Sequence, residues 1–413
     1  MRQVICLAIS VTVAIAGIDA LTMLPLDHPA IDYEKSPAHN RAAALSEKLD
    51  SRQIGLSYDP EFGYLKSVLQ ALHVPASSQV LVFSKTSFQA PKIFPRMPRA
   101  IYHSADVMVG YVRGGDVLEI IAIDPRQGPV FYTLDQEKSP QPMMVRRAEC
   151  IQCHYGPATL GVPGLLVRSV HVDRTGYALT TAPSFVTDHT SPLKQRWGGW
   201  YVTGTHGSQL HMGNQTVESR GAPELDLAKG ANLTDLSHEL DVAAYLQATS
   251  DIVSLMVLEH QSKMTNLLTR LGWEARMGAD GAKLDEIAAE VANYMLFVNE
   301  TPLESPIRGS ERYASDFAGQ GPKDRKGRSL RDLDMKTRMF RYPCSFLIYS
   351  EQFDALPQNA KDKLYRRLFA TLTAQKRSDV IEILRDTKKD LPPYWNEHGR
   401  EVAAPLPQRA GGG

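Results

Sequence analysis

Val107-Met108-Val109-Gly110-Tyr111-Val112, Arg113-Gly114-Gly115-Asp116, then Val117-Leu118-Glu119-Ile120-Ile121-Ala122-Ile123 form one continuous stretch. Two β-branched, apolar runs flank a Gly-Gly pair, the pattern of an antiparallel hairpin. Working outward, Val80-Leu81-Val82-Phe83 is a short apolar run, and Val130-Phe131-Tyr132-Thr133-Leu134 follows a Gly128-Pro129 break. Leu165-Leu166-Val167-Arg168-Ser169-Val170-His171-Val172 alternates in character, and Gly176 to Thr181 follows a turn. A meander of strands is expected, resuming after residue 165.

Helical spacing takes over on both sides. Ala42-Ala43-Ala44-Leu45 opens a short helix, and Glu61 to His73 carries Tyr64, Leu65, Val68, Leu69 and Leu72 at helical intervals until Pro75-Ala76-Ser77-Ser78 breaks the pattern. Toward the C-terminus Ala243 to Leu271, Lys283 to Phe297, Lys361 to Leu372 and Asp379 to Leu384 read as helices, while Ser305 to Asp334, rich in Gly, Arg, Lys and Asp, reads as a long surface excursion, either mobile or wrapped around another part of the fold. The fold class is therefore α+β: a helical N-terminal segment (21–75), a β-rich middle (76–235) and a helical C-terminal region (236–399), with a disordered tail (400–413).

Inside the β-rich middle stands Cys150-Ile151-Gln152-Cys153-His154. In C-x-x-C-H each thiol can add to one vinyl group of a haem, and the adjoining histidine falls beneath the iron. With 4 cysteines and 12 histidines in 413 residues, the chance expectation of this pattern is about one in a thousand. A thioredoxin-type C-x-x-C requires no following histidine. A structural zinc site lacks a second paired motif, and a disulfide across two residues is strained. Covalent haem is the expectation.

Residues 1–20 bear on compartment. Met1-Arg2 is followed by an apolar run from Val4 to Ile18 and by small-residue cleavage sites at Ala14-Ile15-Ala16 or Ile18-Asp19-Ala20, which reads as a cleaved export signal. An uncleaved anchor is the alternative, for which the run is short. Cys6 would leave with the signal, and the remaining three cysteines do not suggest a disulfide framework. The signal places the mature chain in the periplasm or otherwise outside the cytoplasm, and because no other run has the length of a membrane span that chain is expected to be soluble or peripherally held. Lys plus Arg equals Asp plus Glu at 46 each, so no global field favours nucleic acid.

The pentapeptide resembles that of bacterial c-type cytochromes. The wider chain resembles large exported single-haem bacterial proteins described only as cytochrome c domain-containing, on Phe131-Tyr132-Thr133-Leu134, Arg196-Trp197-Gly198-Gly199-Trp200-Tyr201 and Arg341-Tyr342-Pro343-Cys344. That resemblance implies one haem c held by Cys150 and Cys153, with His154 as proximal ligand, and electron transfer with a redox partner whose identity it does not supply.

The sixth iron position separates a carrier from a catalyst. Met212 lies 58 residues beyond His154, at a distance compatible with a distal ligand; His206 and His211 flank it, and all three are candidates. His260 is a weaker one, on a helix where Met256 and Met264 share its face. Trp197 and Trp200 are candidate pocket walls, and Arg146, Arg147 and Arg168 candidate propionate partners. One-electron transfer is the favoured function; peroxidase-like catalysis at an open distal site and haem-based ligand sensing are the alternatives.

Overall fold

The computed structural model describes residues 22–218 and 224–396. The N-terminal apolar run and the tail from Arg400 lie outside these residues.

The α+β expectation holds. The centre is an antiparallel sheet of seven strands: β1 (Val80–Val82), β2 (Arg99–His103), β3 (Val107–Tyr111), β4 (Val117–Asp124), β5 (Gly128–Asp135), β6 (Met144–Arg146) and, after an excursion, β9 (Trp200–Tyr201). Their order is β6-β5-β4-β3-β2-β1-β9. A separate ribbon pairs β7 (Arg168–Val170) with β8 (Ser184–Val186). The expected strand at Gly176 to Thr181 is replaced by a single bridge, Val172 to Ala178, before β8 begins.

Pairing registers divide the side chains of the large sheet into two faces. Leu118, Ile120 and Ala122 of β4 share a buried face with Val109, Tyr102, Leu81 and Tyr132. Helices α1 (Arg41–Asp50) and α2 (Leu65–Ala71) cover that face. In α1 the apolar positions Ala42, Leu45 and Leu49 recur at helical spacing, and Asn40 caps the first turn by accepting from Ala43 N–H.

Glu119, Ile121 and Ile123 point to the opposite face. There Val80, Val82 and Met108 join the apolar core of the C-terminal helices. The Cys150–His154 stretch supplies the short turn α3 (Ile151–His154), followed by α4 (Ile252–Arg276), α5 (Gly281–Met295), α6 (Glu311–Gly319), α7 (Glu351–Asp354), α8 (Gln358–Ala374) and α9 (Ser378–Thr387).

At 25 residues α4 is about 37 Å long. It starts later than the expected Ala243 because Asp251 caps it, accepting from Ser254 N–H, while Val242–Ala244 forms only a 3₁₀ turn. Of the two expectations for Ser305 to Asp334, the structure shows the wrapped one: the stretch contains α6, and Ile307, Tyr313, Phe317 and Leu330 enter the core. The apolar core under α1 and α2 runs across both 75/76 and 235/236, and the core of the C-terminal helices runs across 235/236, so neither expected boundary separates independent interiors.

Candidate functional site

The chain leaves β6 at the sheet edge, where Arg147 N–H still donates to Phe131 O (2.9 Å), and turns at once into a 3₁₀ turn and α3. This brings His154 onto the second face of the sheet, with its ring centroid 4.8 Å from that of Phe131 on β5. Cys150 is half-buried, Cys153 exposed, and both are free thiols. Burial, then Glu119 and Glu149, push the Cys150 thiol up to about 11.

The imidazole is oriented by one contact. His154 Nδ1 lies 2.9 Å from Gly164 O, and Gly164 N–H returns a bond to His154 O (2.8 Å). A carbonyl only accepts, so Nδ1 carries the proton and Nε2 presents its lone pair. Among the described residues Nε2 has no hydrogen-bond partner. Burial lowers the affinity of His154 for a second proton. A neutral ring fixed by Nδ1–H to a backbone carbonyl is the usual arrangement of a histidine that ligates metal through Nε2.

Beside it lies a charged pair that sequence reasoning missed. Arg99 on β2 meets Glu119 on β4 at 2.7 Å, and Glu119 also accepts from Ser87 Oγ (2.5 Å) and Gln89 Nε2 (2.8 Å). The intervening strand contributes Gly110, whose missing side chain would meet Glu119 and Arg99 at 3.4–3.7 Å. Arg99 Nε is buried without a hydrogen-bond partner, and both charges act electrostatically on His154. Arg147, whose Nε donates to Thr133 Oγ1 (2.8 Å), and exposed Val145 and Met143 extend this surface along β6. The signal in sequence was Glu119, a charge interrupting the apolar strand Val117 to Ile123.

Cys150, Cys153, His154 and Arg147 are thus together. The other candidates are placed elsewhere, for identifiable reasons. Arg146 points to the first face, where its guanidinium donates to Ser36 O, Tyr33 O and Gln127 Oε1. Arg168 is exposed on β7 and makes no ion pair among the described residues. Trp200 belongs to β9, five strand positions from β5 and hence on the order of 24 Å from Phe131. Its Nε1 donates to Arg168 O (2.8 Å).

Trp197, Met212, His206 and His211 form a buried knot at that far edge. Met212 N–H donates to Arg196 O and its sulfur accepts from Ser169 Oγ (3.6 Å). His206 is held between Gln209 O (2.6 Å) and Asn232 N–H (2.9 Å), while His211 Nδ1 accepts from Gly213 N–H (3.0 Å). His260 is buried in α4 against His189, Tyr294 and Phe297, and its Nε2 bonds Ser345 Oγ (2.8 Å). None of these four candidate distal ligands shares a hydrogen bond or ring contact with α3. The dense aromatic and histidine stretch around Trp197 serves the interior, anchored by Arg196, which pairs with Glu259 at 3.0 Å, both buried.

Among the described residues no three His, Cys, Asp or Glu side chains converge as a metal site. Haem iron takes its equatorial ligands from the porphyrin, so one free Nε2 beside two thiols fits that group. No protein-family model, curated protein or solved structure matches this chain.

Proposed function

We propose that the chain is an exported c-type cytochrome that holds one covalent haem through Cys150 and Cys153, with His154 as an axial ligand, and works in one-electron transfer. The observation that carries this reading is the His154 Nδ1 to Gly164 O bond, which fixes the tautomer and aims a bare Nε2 away from the backbone. Each thiol S–H would add across a vinyl C=C, sulfur bonding one carbon and hydrogen the other, so attachment needs no oxidant. Bound haem supplies the redox couple. The chain's own residues orient the ligand ring, cover one side with Phe131, and present Arg99 and Arg147 to the propionates.

The distance of Met212, His206, His211 and His260 from α3 favours a second reading, turnover of a small ligand such as peroxide at an open sixth position. Export is consistent with the apolar N-terminal run, and among the described residues no helix is long and apolar enough to cross a membrane.

The test is expression with haem-attachment machinery, followed by acid-acetone extraction. Colour retained by the wild type and lost in the Cys150→Ser/Cys153→Ser variant is the expected result; extraction of the wild-type pigment would overturn the assignment. The ferric spectrum then separates the two readings. A low-spin spectrum unchanged by cyanide supports the carrier, and a high-spin spectrum altered by cyanide or peroxide supports the catalyst.

A further inference from the structure

Arg331 is only 8% exposed, yet no carboxylate faces it at ion-pair distance. Among the described residues its guanidinium makes neither an ion pair nor a hydrogen bond. It lies instead 4.6 Å from the ring centroid of Phe317 and 4.3 Å from that of Phe346. Burial pushes it down to about 10. Asp106, which acts on it through space, is already held by Arg41 (2.9 Å) and Ser104 Oγ (2.9 Å). Two aromatic faces return less than a guanidinium loses on leaving water, so the charge is incompletely compensated.

The surroundings are built around this arginine. Gly321 leaves room for its stem, since a Cβ there would lie 2.9 Å from Arg331 Cδ and 2.8 Å from Ser329 Oγ. The hydroxyl of Tyr313 is buried and, among the described residues, has no partner in hydrogen-bond geometry; its polar neighbour Ser254 Oγ is engaged with His103 Nε2 and Ser78 O. His103 offers no spare donor: its Nε2 bonds Ser254 Oγ (2.8 Å) and its Nδ1 faces the Gln261 amide (3.4 Å). Arg331, Tyr313, His103, Gln261 and Gln320 line a cavity of about 10 Å³, which admits one water-sized particle. Pro75 and Gln320 also line a surface groove of about 570 Å³, so the cavity adjoins a solvent route.

We propose that Arg331 and Tyr313 form a binding site for a single halide-sized anion, chloride under ordinary conditions. The guanidinium sits in the corner between two rings set at 84° to each other, contacts that consume none of its N–H donors, and Tyr313 adds an O–H donor from the cavity wall. A neutral water satisfies hydrogen bonds but leaves the charge, and among anions a monatomic halide asks for the least widening of a water-sized space. The site is independent of the haem reading.

The test uses the full chain at constant ionic strength, replacing sodium gluconate with sodium chloride or bromide while following the thermal midpoint. The expected midpoint rises with the logarithm of halide concentration in the wild type, and Arg331→Met abolishes the rise. Tyr313→Phe should weaken the response about tenfold in half-saturating halide, which keeps the test available if Arg331→Met fails to fold. Bromide-soaked crystals should show an anomalous peak beside Arg331. Equal midpoints in halide and gluconate, a response retained by Arg331→Met, or a response to acetate alone would each overturn the proposal.

Discussion

His189 Nδ1 lies 2.8 Å from His260 Nδ1, so one imidazole donates to the other and the pair cannot carry a proton on both facing nitrogens. Burial pushes His260 down to about 3 and, with repulsion from His260, holds His189 well below its usual value. The native state therefore binds fewer protons than the unfolded chain. Stability from His260 is complete above the unfolded value of 6.5 and is lost as the pH falls toward about 3. Urea unfolding between about pH 4 and about pH 6 should show stability rising with pH, and His260→Gln should flatten that slope by about 1.4 kcal/mol per pH unit. An undiminished slope would mean that the native ring is already charged.

The Arg196 to Glu259 pair has the opposite sensitivity. Burial pushes Glu259 up to about 7 although Arg196 pulls it back, so its contribution is present below the unfolded value of 4.5 and is lost as pH rises through about 7. Arg196→Met should cost about 3–5 kcal/mol near neutrality, because it strands a buried carboxylate. The penalty should shrink at lower pH as Glu259 takes up a proton. Arg196→Met/Glu259→Leu should recover most of the loss in the same urea titrations.

Gly128 couples the sheet to α4. It sits at φ +81°, and a Cβ there would lie 2.5 Å from Thr269 Oγ1. Gly128→Ala should cost about 2–3 kcal/mol, from backbone strain plus the clash. Thr269→Ala in the same chain relieves only the clash, so thermal melts of the single and double variants should be non-additive by about 1 kcal/mol.

If haem lies over the Arg99 to Glu119 pair, the pair sets its field. Arg99→Gln removes a positive charge and exposes Glu119, favouring the ferric state, and should lower the midpoint potential by tens of millivolts, on the scale of ~59 mV per ~1.4 kcal/mol for one electron. Glu119→Gln should raise it. Spectroelectrochemical titration measures both, and unmoved potentials would place the haem away from this pair.

Much of the architecture was legible in the sequence because it is local. Gly114-Gly115 marks the β3 to β4 connection, and the α5, α8 and α9 patterns fall within two or three residues of the observed helices. Strand β2 escaped notice because Arg99-Ala100-Ile101-Tyr102-His103 is bounded by charge and imidazole. At two residues β9 carries no periodicity at all, and only its pairing with β1 defines it. At the candidate site Cys150, Cys153 and His154 are contiguous in sequence, so their grouping is readable there. Gly164 and Arg99 reach His154 or its surroundings through tertiary structure, which spacing cannot encode. The same limit explains the distal candidates: 58 residues from His154 to Met212 is a chain length, and the chain spends it crossing the sheet.

That crossing has a consequence during synthesis. Until Trp200 and Tyr201 emerge, the nascent chain carries Val80-Leu81-Val82 as an unpaired, wholly apolar sheet edge, 118 residues before the backbone that caps it. Exposed edges of this kind recruit other strands. A two-residue strand thus acts as a molecular latch against self-association, and chains ending before it should fail by aggregating with one another rather than by remaining soluble and unfolded.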